Sequence, residues 1–329
     1  MSGYSNEPTR LHEFAADAVA KFGCSSDASI SLLNISENAT FKVSDCDSEV
    51  DTILRIHRPL YHSRQAIQSE LDWVQSLRDV QIVRTPAILP FGSGEQVISV
   101  QDSTGEQRHA VMFEFMPGVE PAENRLVDDF ETLGAITARL HDHAKQWNPI
   151  NNFTRFTWDF ETALGPDGHW GSWRDGLAMG SSELEILGRL SDTLGQRLDR
   201  YGKNKDRFGL VHADMRLANL LVAGSEVTVI DFDDCGFSWF MYDFGSSVSF
   251  IEDHPLIPDM TDAWVNGYRT VASLPKEEET ELPTFVMFRR LLLVAWVGSH
   301  QDTETGQDMG ENFTKVSCEL AENYLSKFA

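Results

Sequence analysis

The sequence has few of the features that usually mark a compartment or a bound cofactor. Only four of its 329 residues are cysteines, and Cys24, Cys46, Cys235 and Cys318 lack the spacing of a metal site. Scattered cysteines are typical of reduced thiols in a cytosol, so we expect a cytoplasmic protein. We also expect no secretory signal peptide, and the sequence contains no Walker A loop and no internal repeat.

Basic residues are scarce too, because 27 lysines and arginines face 51 aspartates and glutamates and leave a formal net charge of −24. A charge of this sign disfavours nucleic acids and anionic membranes as partners. The most apolar run, 291–297, follows Arg289 and Arg290, is too short to span a bilayer and predicts a buried helix. With 41 % hydrophobic residues, the chain can fill the cores of two lobes.

The stretch 210–234, LVHADMRLANLLVAGSEVTVIDFDD, is the most informative part of the chain. Phe208–Val211 predicts a short strand, and Asp214 follows in a loop, where a rigidly held carboxylate can orient a hydroxyl that accepts a phosphoryl group. Asn219, five residues later, offers a neutral oxygen to a metal ion, as in the catalytic loop of kinases. Together with His212, these residues have the spacing of a phosphoryl-transfer site.

Another candidate site residue, Asp231, follows the next pair of predicted strands. The runs 220–222 and 227–230 flank a turn and predict a hairpin, whose outer ends lie close together. We therefore expect Asp214, Asn219 and Asp231 in one pocket. Oxygen ligands of this kind suit Mg²⁺ rather than zinc, so ATP and Mg²⁺ are the predicted cofactors.

Further acids near this site need an interpretation. Asp243, Phe244 and Gly245 form a literal Asp-Phe-Gly motif, but it lies beyond an aromatic loop, so we predict that Asp243 caps a helix beginning near Phe244. Two interpretations stay open for Asp233 and Asp234. Each is either an outer partner of the metal ligands or a solvated loop acid.

Together, these motifs resemble the aminoglycoside phosphotransferase and choline kinase superfamily, which has a protein-kinase-like fold. Its usual loop is His-Gly-Asp, four residues and Asn, followed later by Ile-Asp-Phe or Ile-Asp-Trp. In this sequence Ala213 takes the place of the first glycine, while Arg216 and Ala218 replace a histidine and a glycine. The resemblance implies that Arg216 contacts the transferred phosphate, which suits a guanidinium. The alternative interpretation is that Arg216 is a surface arginine paired with a nearby acid.

The N-terminal third fits the same family. Segments 30–34, 40–43 and 52–57 predict three β-strands. By resemblance, the first hairpin covers the nucleotide, with SENATF (36–41) in place of a glycine-rich loop. The resemblance thereby assigns Asn38 to the nucleotide site.

The third of these strands carries Arg55 where protein kinases have a lysine for the α- and β-phosphates. The resemblance pairs that cation with a glutamate on the next helix, which we predict from its N-cap Ser63 to about Asp79. Glu70 lies on the core-facing side of this helix, where an unpaired charge is costly, so we expect it to pair with Arg55. The alternative is that Glu70 extends along the edge of the apolar stripe into water.

A hairpin of segments 97–101 and 109–115 then leads into the sequence VMFEFMPG. In kinases this position is the hinge between two lobes, whose backbone binds adenine. The resemblance therefore assigns Glu114 and Met116 to the nucleotide, with a strand break at Pro117.

The remainder is predicted to be mainly helical. One helix ends at His141-Asp142-His143, a cluster that raises a rival interpretation, a metal-dependent phosphohydrolase. Such a hydrolase would use His212 and Asp214 as further metal ligands. It would leave the hairpin that presents Asn219 and Asp231 without a role. We therefore expect His141 to be a packed residue at a helix end.

The segment 151–176 holds three tryptophans, Trp158, Trp170 and Trp173, among acids and glycines, and we expect it to recognise the acceptor. An aromatic wall could hold a cationic amine by cation–π contacts. Tryptophans are more often part of a core, which is the second interpretation of this segment.

The predicted fold is α+β and two-lobed, of the protein-kinase-like type. Residues 1–117 form the expected nucleotide-binding lobe, an antiparallel sheet plus a helix, and residues 118–329 form a mainly helical catalytic and acceptor-binding lobe. The expected activity is ATP-dependent phosphorylation of a small-molecule hydroxyl, as in an amino alcohol, a homoserine-like compound or an aminoglycoside. The alternatives are a stress-response type of Ser/Thr protein kinase and a non-catalytic nucleotide-binding module. Nothing in the sequence indicates the oligomeric state.

Overall fold

The computed structural model describes residues 7–35, 38–45, 50–121, 125–150, 152–301 and 303–329. Cys46 and the first two residues of the predicted nucleotide loop, Ser36 and Glu37, lie outside the described residues. The chain forms two compact units. The first comprises Met1–Gly118, Pro149–Thr154 and Ala223–Asp233, and the second comprises Val119–Asn148, Arg155–Val222 and Asp234–Ala329.

The first unit contains an antiparallel sheet, in which alternating apolar residues bury one face. In the sequence ATFKVS, for example, Ala39, Phe41 and Val43 are buried, as the period of two in a strand requires. The five strands predicted for this part of the chain are confirmed to within two residues at each end, and the short β4 was not predicted. The strands are β1 (Ser29–Ile35), β2 (Ala39–Ser44), β3 (Thr52–Ile56), β4 (Ile88–Leu89), β5 (Ile98–Gln101) and β6 (Gln107–Glu114), in the order β1-β2-β3-β6-β4 with β5 paired to β6.

Two helices accompany this sheet. Helix α1 (Glu7–Phe22) places Leu11 and Phe14 in the core of the first unit. Helix α2 (Arg64–Asp79) begins after Ser63, whose hydroxyl accepts a hydrogen bond from the backbone N–H of Ala66 at 3.1 Å, so the predicted N-cap is confirmed. The helix buries its apolar stripe together with Glu70.

The second unit is mainly helical. Its strands β7 (Phe208–Val211) and β10 (Gly236–Trp239) pair antiparallel to each other. The chain returns to the first unit through β8 (Leu220–Ala223) and β9 (Glu226–Val229), which are joined by a turn. The helices are α3 (Leu126–Gln146), α4 (Phe160–Leu164), α5 (Ser181–Tyr201), α6 (Tyr242–Ser247), α7 (Ile257–Arg269), α8 (Lys276–Thr280), α9 (Leu282–Ser299), α10 (Glu304–Met309) and α11 (Asn312–Phe328).

Helix α9 is the central core helix of this unit. The predicted buried run 291–297 is part of it, and the helix extends further in both directions. By length and composition α9 could cross a membrane, but 78 % of it is buried inside the fold, as a core helix is. Its two arginines, Arg289 and Arg290, are also buried, so each needs partners inside the unit.

Candidate active site

The loop that carries Asp214 begins where β7 ends. Ala213, the residue before Asp214, has a φ of 67°, in the left-handed region. This conformation costs an L-residue with a Cβ roughly 1–2 kcal/mol. The usual family loop has glycine here, and the backbone conformation explains that preference.

Asp243 holds this loop in place. Its Oδ1 accepts a hydrogen bond from the backbone N–H of Ala213 at 2.7 Å, and its Oδ2 accepts one from the backbone N–H of His212 at 3.2 Å. Asp243 lies in the first turn of α6, which begins at Tyr242 with Met241 as its N-cap. The predicted helix-capping role of Asp243 is therefore wrong, because its carboxylate binds the amides of another segment.

His141 is the third partner of Asp243. Its Nε2 lies 3.0 Å from Oδ2 of Asp243, and its Nδ1 lies 3.1 Å from the hydroxyl of Tyr268. Because the carboxylate can only accept, Nε2 carries the proton and Nδ1 accepts from the tyrosine. Burial lowers the pKa of His141 despite its carboxylate neighbour. Both ring nitrogens are therefore used in hydrogen bonds inside the unit, as expected for a buried residue of a helix rather than for a metal ligand.

The carboxylate of Asp214 is held on both oxygens. Asn219 donates its Nδ2 to Oδ2 at 2.9 Å and to the backbone carbonyl of Asp214 at 2.8 Å. Arg216 donates its Nε to the carboxylate at 3.2 Å, and Arg289 donates its Nη2 to Oδ1 at 2.9 Å. Burial raises the pKa of Asp214, but Arg216, Arg289, His212 and Asn219 outweigh it, and the pKa lies below its usual value. Asp214 is therefore an ionised, oriented hydrogen-bond acceptor.

Arg289 also contacts Asp214, although no sequence motif includes it. It is 2 % exposed and comes from α9, 75 residues after its partner Asp214. The signal in the sequence is a charged residue inside an otherwise apolar helix, which requires a buried partner but does not name one.

Two further predicted residues lie in this loop. His212 is fully buried, and its Nδ1 accepts a hydrogen bond from the backbone N–H of Asp214 at 3.3 Å. Arg216 is about one-third exposed and also lies over the ring of Phe250, 5.6 Å from its centre. The structure thus places Arg216 against Asp214, while its predicted contact with a phosphate stays a prediction.

In the first unit, Arg55 lies beside two acids. Its Nη2 is 2.6 Å from Oε1 of Glu70, and its Nη1 is 3.5 Å from Oδ1 of Asp231. Arg55 and Glu70 are buried, whereas about half of the Asp231 side chain is exposed. Burial disfavours the charged guanidinium, but Glu70, Asp233 and Asp231 more than compensate, so the pKa of Arg55 is raised. The alternative in which Glu70 reaches water is wrong.

Asn38 and Asp233 form a second polar contact in this unit. Asn38 donates its Nδ2 to Oδ2 of Asp233 at 2.8 Å and accepts from the backbone N–H of Arg58 at 3.0 Å. Asp233 is 5 % exposed, with Nδ1 of His57 at 3.4 Å and with its carbonyl accepting from Nε2 of His62 at 2.9 Å. Asp233 is therefore not a solvated loop acid.

Asp234 belongs to the second unit. It is partly buried, and its backbone carbonyl accepts a hydrogen bond from Nε1 of Trp158 at 2.8 Å. Its negative charge also acts on Arg289 and raises the pKa of that guanidinium, after the contributions of Tyr242 and Asp214. Its interpretation as an outer partner of a metal ligand stays open.

The remaining predicted residues have mainly structural contacts. Glu114, the last residue of β6, exchanges backbone and side-chain hydrogen bonds with Ala87, and Met116 is buried. The three tryptophans of the segment 151–176 are at most 4 % exposed. The ring of Trp170 lies 5.0 Å from the guanidinium of Arg289. Burial of these side chains thus favours the interpretation that they are part of the core over the interpretation that they form an open cage for a cationic amine. The buried tryptophans are Trp158, Trp170 and Trp173.

The residue types predicted as metal ligands suit a magnesium–nucleotide complex better than a metal held by protein alone. Among the residues that the structure describes, no group of three or more His, Cys, Asp or Glu could hold a metal ion. The rival hydrolase therefore lacks its metal cluster there. Mg²⁺ commonly takes one or two protein ligands and completes its shell with phosphates and water. Asn219 turns its Nδ2 to Asp214, so its Oδ1 is the atom that would meet a cation. Asp231 belongs to the first unit and has a half-exposed side chain, so a pocket shared by Asp214, Asn219 and Asp231 stays a prediction.

Comparisons with known proteins agree with this chemistry. The model of the phosphotransferase enzyme family matches residues 30–277. Amicoumacin kinase of Bacillus subtilis (strain 168) is 26 % identical over 301 residues, which cover 88 % of this chain and 85 % of that protein.

Solved structures show the same relationship. A microcompartment-associated aminopropanol kinase is 45 % identical, with a TM-score of 0.88 over 95 % of this chain and 97 % of its own. An amicoumacin kinase in complex with AMP-PNP, Ca²⁺ and Ami has a TM-score of 0.78 at 23 % identity, over 96 % of each chain. The predicted protein-kinase-like fold is confirmed. Because the family model covers well over half of the chain, this protein belongs to the phosphotransferase enzyme family and is an ATP-dependent small-molecule kinase.

Proposed function

We propose that the protein transfers the γ-phosphoryl group of ATP to the hydroxyl of a short amino alcohol of the aminopropanol type. The observation that carries this proposal is the 45 % identity, over nearly the whole of both chains, with an aminopropanol kinase. The hydrogen-bonded set of Asp214 and Asn219 supports it, because a chain that had lost catalysis would not need to preserve this arrangement.

Asp214 orients the acceptor hydroxyl in this proposal. A loose phosphoryl-transfer transition state needs positioning and charge stabilisation more than a strong base. The lowered pKa of Asp214 and the donors on both of its oxygens suit such a role. The carboxylate stays ionised at neutral pH and accepts the hydroxyl hydrogen bond. It takes up the hydroxyl proton as the new P–O bond forms and the bond between the γ-phosphorus and the bridging oxygen breaks, which releases ADP.

Asn219 and Asp231 are the proposed ligands of Mg²⁺. His212 supports the loop that follows β7, because it accepts a hydrogen bond from the backbone N–H of Asp214. When bound, the metal neutralises charge on the phosphates of ATP. Arg216 is exposed enough to exchange its bond with Asp214 for one with the transferred phosphate. This exchange would also release the carboxylate for the acceptor.

The nucleotide is assigned to the N-terminal lobe, residues 1–117, and the acceptor to residues 118–329. Arg55, oriented by Glu70, is proposed to bind the α- and β-phosphates, since a buried, paired guanidinium is already held in place. Asn38 is assigned to the nucleotide loop, and the backbone at Glu114 and Met116 to the adenine. A cytoplasmic location is proposed from the sequence alone, because its four scattered cysteines lack the spacing of a metal site.

Amicoumacin phosphorylation is the second candidate function. It rests on the 26 % identity with amicoumacin kinase over 88 % of this chain. An antibiotic acceptor needs a larger pocket than an amino alcohol, so the two candidates differ in acceptor size and not in the chemistry at Asp214.

The test is ADP release from ATP and Mg²⁺ in the presence of aminopropanol, ethanolamine, choline, homoserine, amicoumacin or a generic protein substrate, for the wild type and for Asp214→Asn. We expect aminopropanol to stimulate release and Asp214→Asn to remove the stimulation while ATP still binds. Stimulation by amicoumacin alone would favour the second candidate. Full stimulation in Asp214→Asn would contradict the assigned role of Asp214.

A second arm addresses the metal. Asn219→Ala and Asp231→Asn should each raise the Mg²⁺ concentration needed for half-maximal activity, because each removes one proposed ligand. An unchanged Mg²⁺ requirement in both variants would contradict the assignment.

A further inference from the structure

We propose that Arg289 is a positioning residue for Asp214, so that this buried guanidinium determines the turnover number rather than the affinity for ATP. The inference rests on the proposed function, because it takes Asp214 as the group that orients the acceptor hydroxyl.

The guanidinium of Arg289 binds both the side chain and the backbone of the catalytic loop. Its Nη2 donates to Oδ1 of Asp214 at 2.9 Å, and its Nη1 lies 3.3 Å from the carbonyl oxygen of Ala213. One rigid group thus ties the carboxylate to the strained residue that precedes it. The Oδ2 atom is held separately by Asn219. With donors on both oxygens, the carboxylate cannot rotate freely about its Cβ–Cγ bond.

Arg289 is itself anchored from behind. Its Nε donates to the hydroxyl of Ser249 at 3.0 Å, and its Nη1 donates to the hydroxyl of Tyr242 at 2.9 Å. The ring of Trp170 lies 5.0 Å from the guanidinium carbon. These contacts use the planar fork of donors that arginine has and lysine lacks. A lysine could keep the charge near Asp214 but not all of these bonds at once.

The neighbouring arginine provides a matched comparison. Arg290 is equally buried in the same helix, but it binds Glu252 at 2.6 Å and the hydroxyl of Ser317 at 2.7 Å. These partners are not part of the catalytic loop. Each of the two arginines therefore carries the energetic cost of a buried charge. Of the two, Arg289 contacts Asp214 and Arg290 does not.

The consequence for the reaction is geometric. Phosphoryl transfer needs the acceptor oxygen in line with the bond that breaks, and a displacement of about 1 Å can cost on the order of 100-fold in rate. Loss of the Arg289 contact would let the carboxylate turn away from the hydroxyl. The effect should appear in kcat, because this contact lies on Asp214 and not on the residues assigned to ATP.

The experiment compares Arg289→Lys and Arg290→Lys, with Asp214→Asn alongside. Each is assayed for kcat, for the KM of ATP and for thermal midpoint, with the acceptor that stimulates ADP release most, or with water as the acceptor if none does. We expect Arg289→Lys to lower kcat by roughly 100-fold with the KM of ATP within about threefold. Arg290→Lys should keep kcat and lose a similar amount of thermal stability.

Wild-type kcat in Arg289→Lys would overturn the proposal, as would equal loss of kcat in the two lysine variants. If Arg289→Lys does not fold, Tyr242→Phe removes one anchor of Arg289 without touching Asp214, and it should lower kcat more than the KM of ATP changes. An active Asp214→Asn would show that the proposed function itself is wrong. An inactive Asp214→Asn with a fully active Arg289→Lys would remove only the positioning role.

Discussion

His141 and Asp243 share a buried hydrogen bond of 3.0 Å although they lie 102 positions apart in the chain. The same carboxylate accepts the backbone N–H groups of His212 and Ala213. Asp243→Ala would leave these donors buried and unpaired. We expect the free energy of unfolding to fall by about 3–5 kcal/mol, measured by urea denaturation, with loss of kinase activity.

Asp142 offers the control for this prediction. It is only partly buried and lies next to His141 in α3. Asp142→Ala should change the free energy of unfolding by less than about 0.5 kcal/mol. If the two variants lost the same stability, the anchoring role of Asp243 would be wrong.

Ala213→Gly should retain activity and match or exceed the stability of the wild type. Glycine relieves the left-handed strain at a φ of 67°, worth roughly 1–2 kcal/mol, and loses part of that gain through the entropy of the unfolded chain. Ala213→Val should lose stability, because a β-branched residue tolerates this conformation least. The thermal midpoint of Ala213→Gly should therefore equal or exceed that of the wild type, and that of Ala213→Val should lie below it. A valine variant as stable as the wild type would refute the strain argument.

The buried pair of Arg55 and Glu70 should show strong coupling. Arg55→Met or Glu70→Gln alone leaves one buried group without its 2.6 Å partner, which costs about 3–5 kcal/mol of unfolding free energy. The double variant should cost less than the sum of the two single ones, by about 1–3 kcal/mol. A double-mutant cycle in urea measures this coupling, and strictly additive losses would contradict it. The KM of ATP should rise in each single variant.

The lowered pKa of Asp102 predicts how the stability of the first unit depends on pH. Burial raises its pKa, but hydrogen bonds from Thr104, Arg10 and the backbone of Glu106 outweigh it and lower the pKa to about 2. An aspartate in the unfolded chain has a pKa of about 3.9. Because the folded value is lower, the stabilisation is complete above about pH 4 and is lost as the pH falls toward 2.

The thermal midpoint should therefore be measured between pH 6 and pH 2.5 for the wild type and for Asp102→Asn. The wild type should be the more stable protein near neutral pH, and the difference should shrink below about pH 4. A difference that stays constant down to pH 2.5 would contradict the lowered pKa of Asp102.

Much of the fold was predictable because its signals are local. The N-cap Ser63 and the end of α2 at Asp79 follow from capping chemistry and an apolar stripe, and both are confirmed. The position of Glu70 within that stripe also predicted a buried partner, since an unpaired charge there is costly. Strand β7 was predicted at its observed bounds from its apolar run.

The errors and omissions concern partners that are distant in the chain. Asp243 was predicted as a helix cap because capping preferences depend on near neighbours, whereas its actual partners lie 30, 31 and 102 positions earlier. Arg289 attracted attention only as the boundary of an apolar run, because burial of a charge demands a partner without specifying which one. The tryptophans 158, 170 and 173 could not be divided between core and cage until their exposure was known.

The family, the loop with Asp214 and Asn219 as its candidate catalytic residues, and the residue types that suit ATP and a hard cation follow from the sequence alone. These properties depend on residue identity and on spacing along a few strands and one loop. The way in which Asp214 is held depends on tertiary packing, because Asp243 and Arg289 come from α6 and α9 and contact the loop only in the folded chain. Spacing determines which residue types come together in the loop, whereas burial and long-range hydrogen bonds determine the orientation of the Asp214 carboxylate.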